Sequence, residues 1–331
     1  MNNFKKIGMT ALAASLVSTS VFAGELAVTG SASINSEGHS GVALNKGTTF
    51  SMGNQITFSG SSELDNGMNV AVSFVIDEFD DATTAGAGFG GSTFDAHSVT
   101  VSSDALGSLK FSGEGGSSAS TAIDTTAAGD IWDNFDGIQS AGSSAAVGVT
   151  NSDPGANSFF YTLPSMVDGL AVNASYKPQG STAVSAIGYG VGYTGVEGLS
   201  VHYAVTDVET ALANTSGDQT VMKATYAYGP VTVGYSVTEM DLGATDLTGD
   251  QETTSMAVSY TVSDAISVTY GTEEINLGSA ATDAEYSIIK GSYTSGGMTI
   301  SASMADGDNT AFGTGAGEDL EYWGLGLSFA F

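Results

Sequence analysis

From Gly24 onward nearly every apolar cluster alternates with small or polar residues at a period of two. Successive side chains of a strand point to opposite sides, so this spacing restricts the chain to strands with one apolar and one polar face. Met68, Val70, Val72, Phe74 and Ile76 oppose Asn69, Ala71 and Ser73. Val231, Val233, Tyr235 and Val237 oppose Thr232, Gly234, Ser236 and Thr238, and Leu170, Val172, Ala174 and Tyr176 oppose Asn173, Ser175 and Lys177. Helical spacing is almost absent. Segments of this kind start near residues 25, 50, 68, 94, 107, 158, 170, 184, 199, 220, 231, 253, 266, 284, 298 and 320, which predicts sixteen strands. Tight turns (ELDNG at 63–67, DALG at 104–107, GVEG at 195–198, GP at 229–230, SDA at 263–265, SGG at 295–297) follow one strand and longer acidic loops the next. Turns therefore gather at one end of the sheet and loops at the other.

Strands of 9 to 11 residues suit a tilted membrane crossing. A soluble sandwich also alternates, but it hides its apolar face on a second sheet and needs no strands of that length. Inside a bilayer every backbone N–H and C=O must be paired internally, so a spanning sheet has to close and leave no edge. Closure also accounts for the end of the chain, where Leu325, Leu327, Phe329 and Phe331 alternate with Gly324, Gly326, Ser328 and Ala330 up to the final residue. Left unpaired, such a strand would aggregate. Pro154, Pro164, Pro178 and Pro230 all fall in loops, turns or strand ends, where a missing donor does no harm. Tyr161, Tyr176, Tyr193, Tyr226, Tyr228, Tyr260, Tyr293 and Trp323 lie near strand ends and suit interfacial girdles, although ordinary β-propensity also favours such residues. The expected fold class is all-β, a sixteen-stranded antiparallel transmembrane β-barrel.

Residues 1–23 carry Lys5 and Lys6, then a weakly apolar run ending in Val21-Phe22-Ala23, and read as a secretory signal peptide. The barrel is assigned to 24–331 as one domain, since no linker or composition shift divides it. There is no cysteine, which excludes a disulfide-stapled scaffold. The net charge is -29, and all seven basic residues are lysines. Nucleic acid is excluded as a partner. The acidity serves either solubility or the attraction of cations. With 41% hydrophobic residues at regular places, disorder is not the reading.

Four segments, NQITFSGSSELDNGMNVAVSF, DALGSLKFSGEG, SFFYT and YWGLGLSFAF, follow one another in an order that resembles the general porins of Gram-negative bacteria, in particular the sixteen-stranded alphaproteobacterial type. The resemblance spans essentially all of 24–331. It implies location in the outer membrane, a homotrimer, and a long third loop folded into the lumen as a constriction. It also implies a C-terminal signal, with Phe331 as its last residue and Trp323 and Phe329 beside it, that is read by the outer-membrane assembly machinery. One departure stands out, because members of that family set an arginine cluster across from the acidic loop and this chain has no arginine.

The longest connection, from about Glu114 to Asn157, contains the apolar residues Ile131, Trp132, Phe135 and Ile138. A loop in solvent would not need them, so the loop is expected to pack against the barrel wall. Asp124, Asp130, Asp133 and Asp136 are interleaved with them and, with Glu114, form the expected acidic side of the constriction, where low-dielectric surroundings strengthen the pull on cations. Lys110, Lys177 and Lys223 lie at polar phases of their strands and form the expected basic side, unless they are solvated spacers. Lys290 is left open because Ile288 and Ile289 break the alternation before it. Gly188, Gly190 and Gly192 share one inward phase and leave room for a folded-in loop.

Other motifs fail on their context. Gly190, Gly192 and Gly195 spell GxGxxG, but a turn and a strand follow instead of a helix, which excludes dinucleotide binding. His39, His97 and His202 lack metal-ligand spacing, so no metal site is expected. The acidic stretches at 77–81, 240–252 and 317–321 offer oxygens to Ca²⁺ without an EF-hand pattern, and no other cofactor is indicated. No nucleophile-base pair can be assembled, so the chain is not expected to be an enzyme. The functional expectation is a water-filled channel for passive diffusion of small hydrophilic solutes and ions, cation-preferring. Two alternatives stand beside it: a solute-specific porin, and a secreted acidic β-protein such as an adhesin or surface-layer component without a pore.

Overall fold

A computed structural model describes residues 26–41, 47–77, 94–123, 125–135, 154–180, 184–210, 216–241, 250–278, 280, 282–310, 312 and 319–331. The expected signal peptide lies outside them. The strands are β1 Ala27–Gly41, β2 Gly47–Glu63, β3 Asn69–Asp77, β4 Ala96–Ser103, β5 Gly107–Glu114, β6 Ser158–Thr162, β7 Leu170–Lys177 and β8 Val184–Tyr193. They continue with β9 Leu199–Thr210, β10 Gly217–Tyr228, β11 Val231–Asp241, β12 Gln251–Ser263, β13 Ile266–Leu277, β14 Ala284–Ser295, β15 Met298–Asp308 and β16 Leu320–Ala330. A 3₁₀ helix, Ile131–Phe135, lies between β5 and β6.

Each strand pairs antiparallel with its neighbours in sequence, and β1 also pairs with β16, so the sheet is a closed barrel of sixteen strands. The seam runs from Ser31 opposite Ala330 to Gly41 opposite Leu320. It is finished by a reciprocal backbone pair in which Gly30 N donates to Phe331 O (2.7 Å) and Phe331 N to Gly30 O (3.0 Å). The terminal strand is thus fully paired and leaves no template for aggregation.

Several strands begin earlier than the alternation suggested: β2 at Gly47, β10 at Gly217 and β12 at Gln251. The reason lies in the outward positions at the loop end, which are polar rather than apolar: Thr48 on β2, Asp218 on β10 and Glu252 on β12. Asp207 pairs with Asp218, Asp218 with Asp241, Glu239 with Glu252, Glu274 with Glu285, Glu285 with Asp308, and Asp306 with Glu321. The ladder continues there while the apolar signal stops. Below this carboxylate collar the outward face is apolar and exposed, with Val233, Val258, Val268, Ile289, Ile300 and Leu325 among its members. Tyr161, Tyr193, Tyr226, Tyr228, Tyr260 and Tyr293 stand outward near the turn end, and Tyr176 and Trp323 nearer the loop end. Rings that are apolar in body and polar at the tip favour the two boundaries of a bilayer.

Candidate functional site

The connection after β5 enters the barrel and runs round its inner wall, bonded to one strand after another. An isolated antiparallel bridge between Gly116 and Gly155 ties its two ends together. Ala119 N donates to Ser175 Oγ of β7 (3.0 Å), and Ser120 N to Thr206 Oγ1 of β9 (3.2 Å). Farther on, Ala127 N donates to Ser236 Oγ of β11 and Ala128 N to Ser255 Oγ of β12, each at 2.9 Å. Inward hydroxyls on successive strands thus accept loop amides that would otherwise be buried without a partner.

Close approach requires missing side chains below the loop. A Cβ on Gly271 of β13 would stand 2.6 Å from Ala128 Cβ, and one on Gly188 of β8 3.1 Å from Ala119 Cβ. Gly188 therefore makes the expected room, whereas the space over Gly190 and Gly192 is taken by the side chains of Asn173 and His202.

Charged side chains complete the attachment. Glu273 of β13 is 2% exposed and accepts from Ile131 N (2.6 Å), Trp132 N (3.2 Å) and the Thr126 hydroxyl. These amides open the 3₁₀ helix, where a carboxylate meets unpaired donors and a favourable dipole. Lys290 of β14 donates to Ala128 O (3.0 Å), and Lys223 of β10 donates to Thr125 O and Thr126 O. His39 of β1 bonds Asn134 O through Nε2 (2.9 Å) at the far end of the run.

The 3₁₀ helix itself is held by apolar contact with β13, β14, β15 and β16. Ile131 and Phe135 are fully buried in a cluster with Ile275, Tyr286, Ile288 and Leu320, and Trp132 packs against it. The Phe135 ring lies 5.5 Å from Tyr286 and 6.4 Å from Tyr322. Burying two such side chains contributes about 1.5–3 kcal/mol each. Ile138, expected in the same packing, lies outside the described residues, as do Asp124 and Asp136.

Several expected roles change. Lys223 was expected across the lumen from the loop, but it lies under the loop and holds its carbonyls, because the loop passes over β10. Lys177 on β7 is buried, and Lys110 on β5 is half-exposed beside Phe160 in register. No opposing basic cluster forms from these three. Asp130 turns back to accept from Thr126 N (2.9 Å), in a left-handed backbone conformation (φ 56°), and so closes a turn of the loop. Asp133 is exposed. Glu114 sits at a register irregularity opposite His97. Ile288 points inward at 2% exposure and Ile289 outward at 52%, which leaves Lys290 inward and resolves its phase. Trp323, Phe329 and Phe331 stand outward and exposed on or just beyond β16.

Glu273 and the accepting hydroxyls were missed. The available signal was a carboxylate at the inward phase of β13, two residues beyond Gly271 and four beyond Thr269. Alternation could place it inward, but only the path of the loop shows what it meets. Among the described residues no group of three or more His, Asp or Glu side chains could hold a metal ion.

Comparison with known proteins agrees with this architecture. The profile of the Gram-negative porin family matches residues 8–289, while no curated protein sequence matches. The anion-selective porin from Comamonas acidovorans superposes with a TM-score of 0.70 at 17% identity, covering 93% of this chain and 100% of that one. The trimer form of the outer membrane protein OmpT from Vibrio cholerae gives 0.67 at 16% identity, over 94% and 100%. A mutant of the Rh. blastica porin gives 0.64 at 20% identity, over 93% and 100%. With the profile covering most of the sequence, the chain belongs to the Gram-negative porin family, and its barrel is an outer-membrane channel.

Proposed function

We propose that the channel passes small hydrophilic solutes and ions passively, down their gradients, with a preference for cations. The observation that carries this reading is a closed barrel whose hydroxyl-rich inner wall has the third loop lying along it. Cation preference follows from a net charge of -29 and from lysines that hold the loop rather than face it. Reversal potential in a planar bilayer under a salt gradient tests it. A cation-directed potential is expected, and an anion-directed one, as the name of the Comamonas protein would suggest, sinks it.

A second reading, a solute-specific porin, is favoured by the inner face of β1 to β4. Ser31, Asn35, Ser51, Thr57, Ser73 and Thr100 line it with neutral donors and acceptors, beside the carboxylates of Glu37 and Asp77 nearer the loop end. Concentration-dependent block of single-channel current by a sugar would select this reading over the general pore.

The outward face of β1 to β4 carries no tyrosine and includes Gly30, Ser36, Gly38, Thr48 and Asn54. Such a face suits another copy of the chain better than lipid, and a homotrimer through it is part of this proposal. Crosslinked species on a gel check it. Recognition of Phe331 by the assembly machinery is retained as a proposal, tested by outer-membrane yield after its deletion. Ca²⁺ at the loop end would relieve pairs such as Glu239 and Glu252, since like charges directly opposite destabilise a sheet. A lower unfolding temperature in chelator is expected.

A further inference from the structure

The groups that pin the loop are not equivalent. Ser175, Thr206, Ser236 and Ser255 each accept one loop amide. Glu273 instead accepts the amides of Ile131 and Trp132 and the hydroxyl of Thr126. Through Thr126 its reach extends farther, because Thr126 Oγ1 also accepts from Gly129 N (3.1 Å) and Asp130 N (2.7 Å). Lys290 holds the same turn from the adjoining strand at Ala128 O. One carboxylate thus organises both the turn at 126–130 and the start of the 3₁₀ helix.

We propose that Glu273 is the positioning residue that sets the constriction, holding 126–132 against β13 so that the loop neither lifts nor swings across the lumen. Charge-assisted bonds are about twice as strong as neutral ones, and in this buried place their loss would leave three donors of the loop without this acceptor. The closed barrel does not need Glu273, since its ladder bonds are backbone to backbone. Removing the carboxylate therefore alters the channel and leaves the wall intact.

The proposal rests on the channel reading above. Its test compares wild type, Glu273→Ala and Glu274→Ala in planar bilayers, with heat-modifiable gel migration as the check on folding. Glu274 is the outward neighbour on the same strand and is expected to leave conductance unchanged. Glu273→Ala is expected to spend about tenfold more time in flickering, reduced-conductance levels, the factor given by losing about 1.4 kcal/mol. Rescue separates positioning from a general defect. A Cβ on Gly234 would stand 3.3 Å from Ala127 Cβ, near the separation a disulfide needs, and the chain has no cysteine of its own. Adding Ala127→Cys and Gly234→Cys to Glu273→Ala is expected to quiet the trace when oxidised and release it when reduced.

A wild-type protein without conductance would defeat the channel reading. A conducting wild type beside a folded, equally quiet Glu273→Ala overturns the present proposal alone, and so does noise that persists after cross-linking. If Glu273→Ala does not fold, Glu273→Gln takes its place with the same two outcomes. Failure of both to fold makes Glu273 a determinant of the barrel and overturns a role confined to the loop.

Discussion

Along β9 to β12 the inward hydroxyls of Thr206, Ser236, Thr253 and Ser255 are almost wholly buried, whereas along β1 to β4 those of Ser31, Ser51, Thr57, Ser73, Ser98 and Thr100 remain half-exposed. The side-chain chemistry of the two arcs is nearly the same. What differs is the loop lying over one of them. Under it Thr206, Ser236 and Ser255 accept backbone amides of the loop at 2.9–3.2 Å, and away from it the hydroxyls face the lumen. Alternation makes the inner face polar over most of the wall, apart from the apolar patch of β13 to β16 under the 3₁₀ helix, and the path of the third loop then divides that face into a bearing surface and a channel lining.

Four substitutions break or sharpen this contrast, in descending order of effect on the channel. Phe135→Ala empties the centre of the apolar cluster and should cost about 3–5 kcal/mol of loop attachment. The covered arc should then become as accessible as the open one, seen as faster hydrogen exchange at residues 126–132 with the barrel still folded. Unchanged exchange there would show that polar bonds alone suffice. Gly271→Val puts a side chain where Ala128 Cβ now sits, and overpacking of that kind costs about 1–3 kcal/mol. Lower single-channel conductance is expected, with the loop pushed toward the lumen. The third, Ser98→Arg, acts on the open arc. It should change stability by no more than about 0.5 kcal/mol while moving the reversal potential toward anions. A large loss of stability instead would mean that this arc is covered too. Smallest is Ser236→Ala, which removes one accepting hydroxyl at a cost of about 1 kcal/mol. Conductance should be nearly unaltered, with only local exchange at Ala127 accelerated.

Much of the barrel was legible because its signal is strictly local. The starts of β5, β6, β7, β8, β9, β11, β13, β14, β15 and β16 follow directly from alternation and turns. The early starts of β2, β10 and β12 did not, because Thr48, Asp218 and Glu252 replace apolar residues at outward positions above the bilayer. Of the site, the apolar residues Ile131 and Phe135 stood out, since a loop has no other use for them. Lys223 was misplaced for a reason that recurs in closed barrels: phase says which side of the wall a side chain occupies and nothing about what arrives on that side. Glu273 went unnoticed for the same cause, as its partners lie 141 to 147 residues away in sequence.

The sequence by itself determined a sheet with an apolar outside and a polar inside, an even count of strands, and a C-terminal segment that had to be paired. All of these follow from a two-residue period and the cost of unpaired backbone groups in lipid. Only the tertiary structure decided which inward residues touch the third loop. That assignment depends on where one long segment passes the inner wall on its way from β7 round to β1, and contacts between segments so far apart leave no period in the chain that makes them.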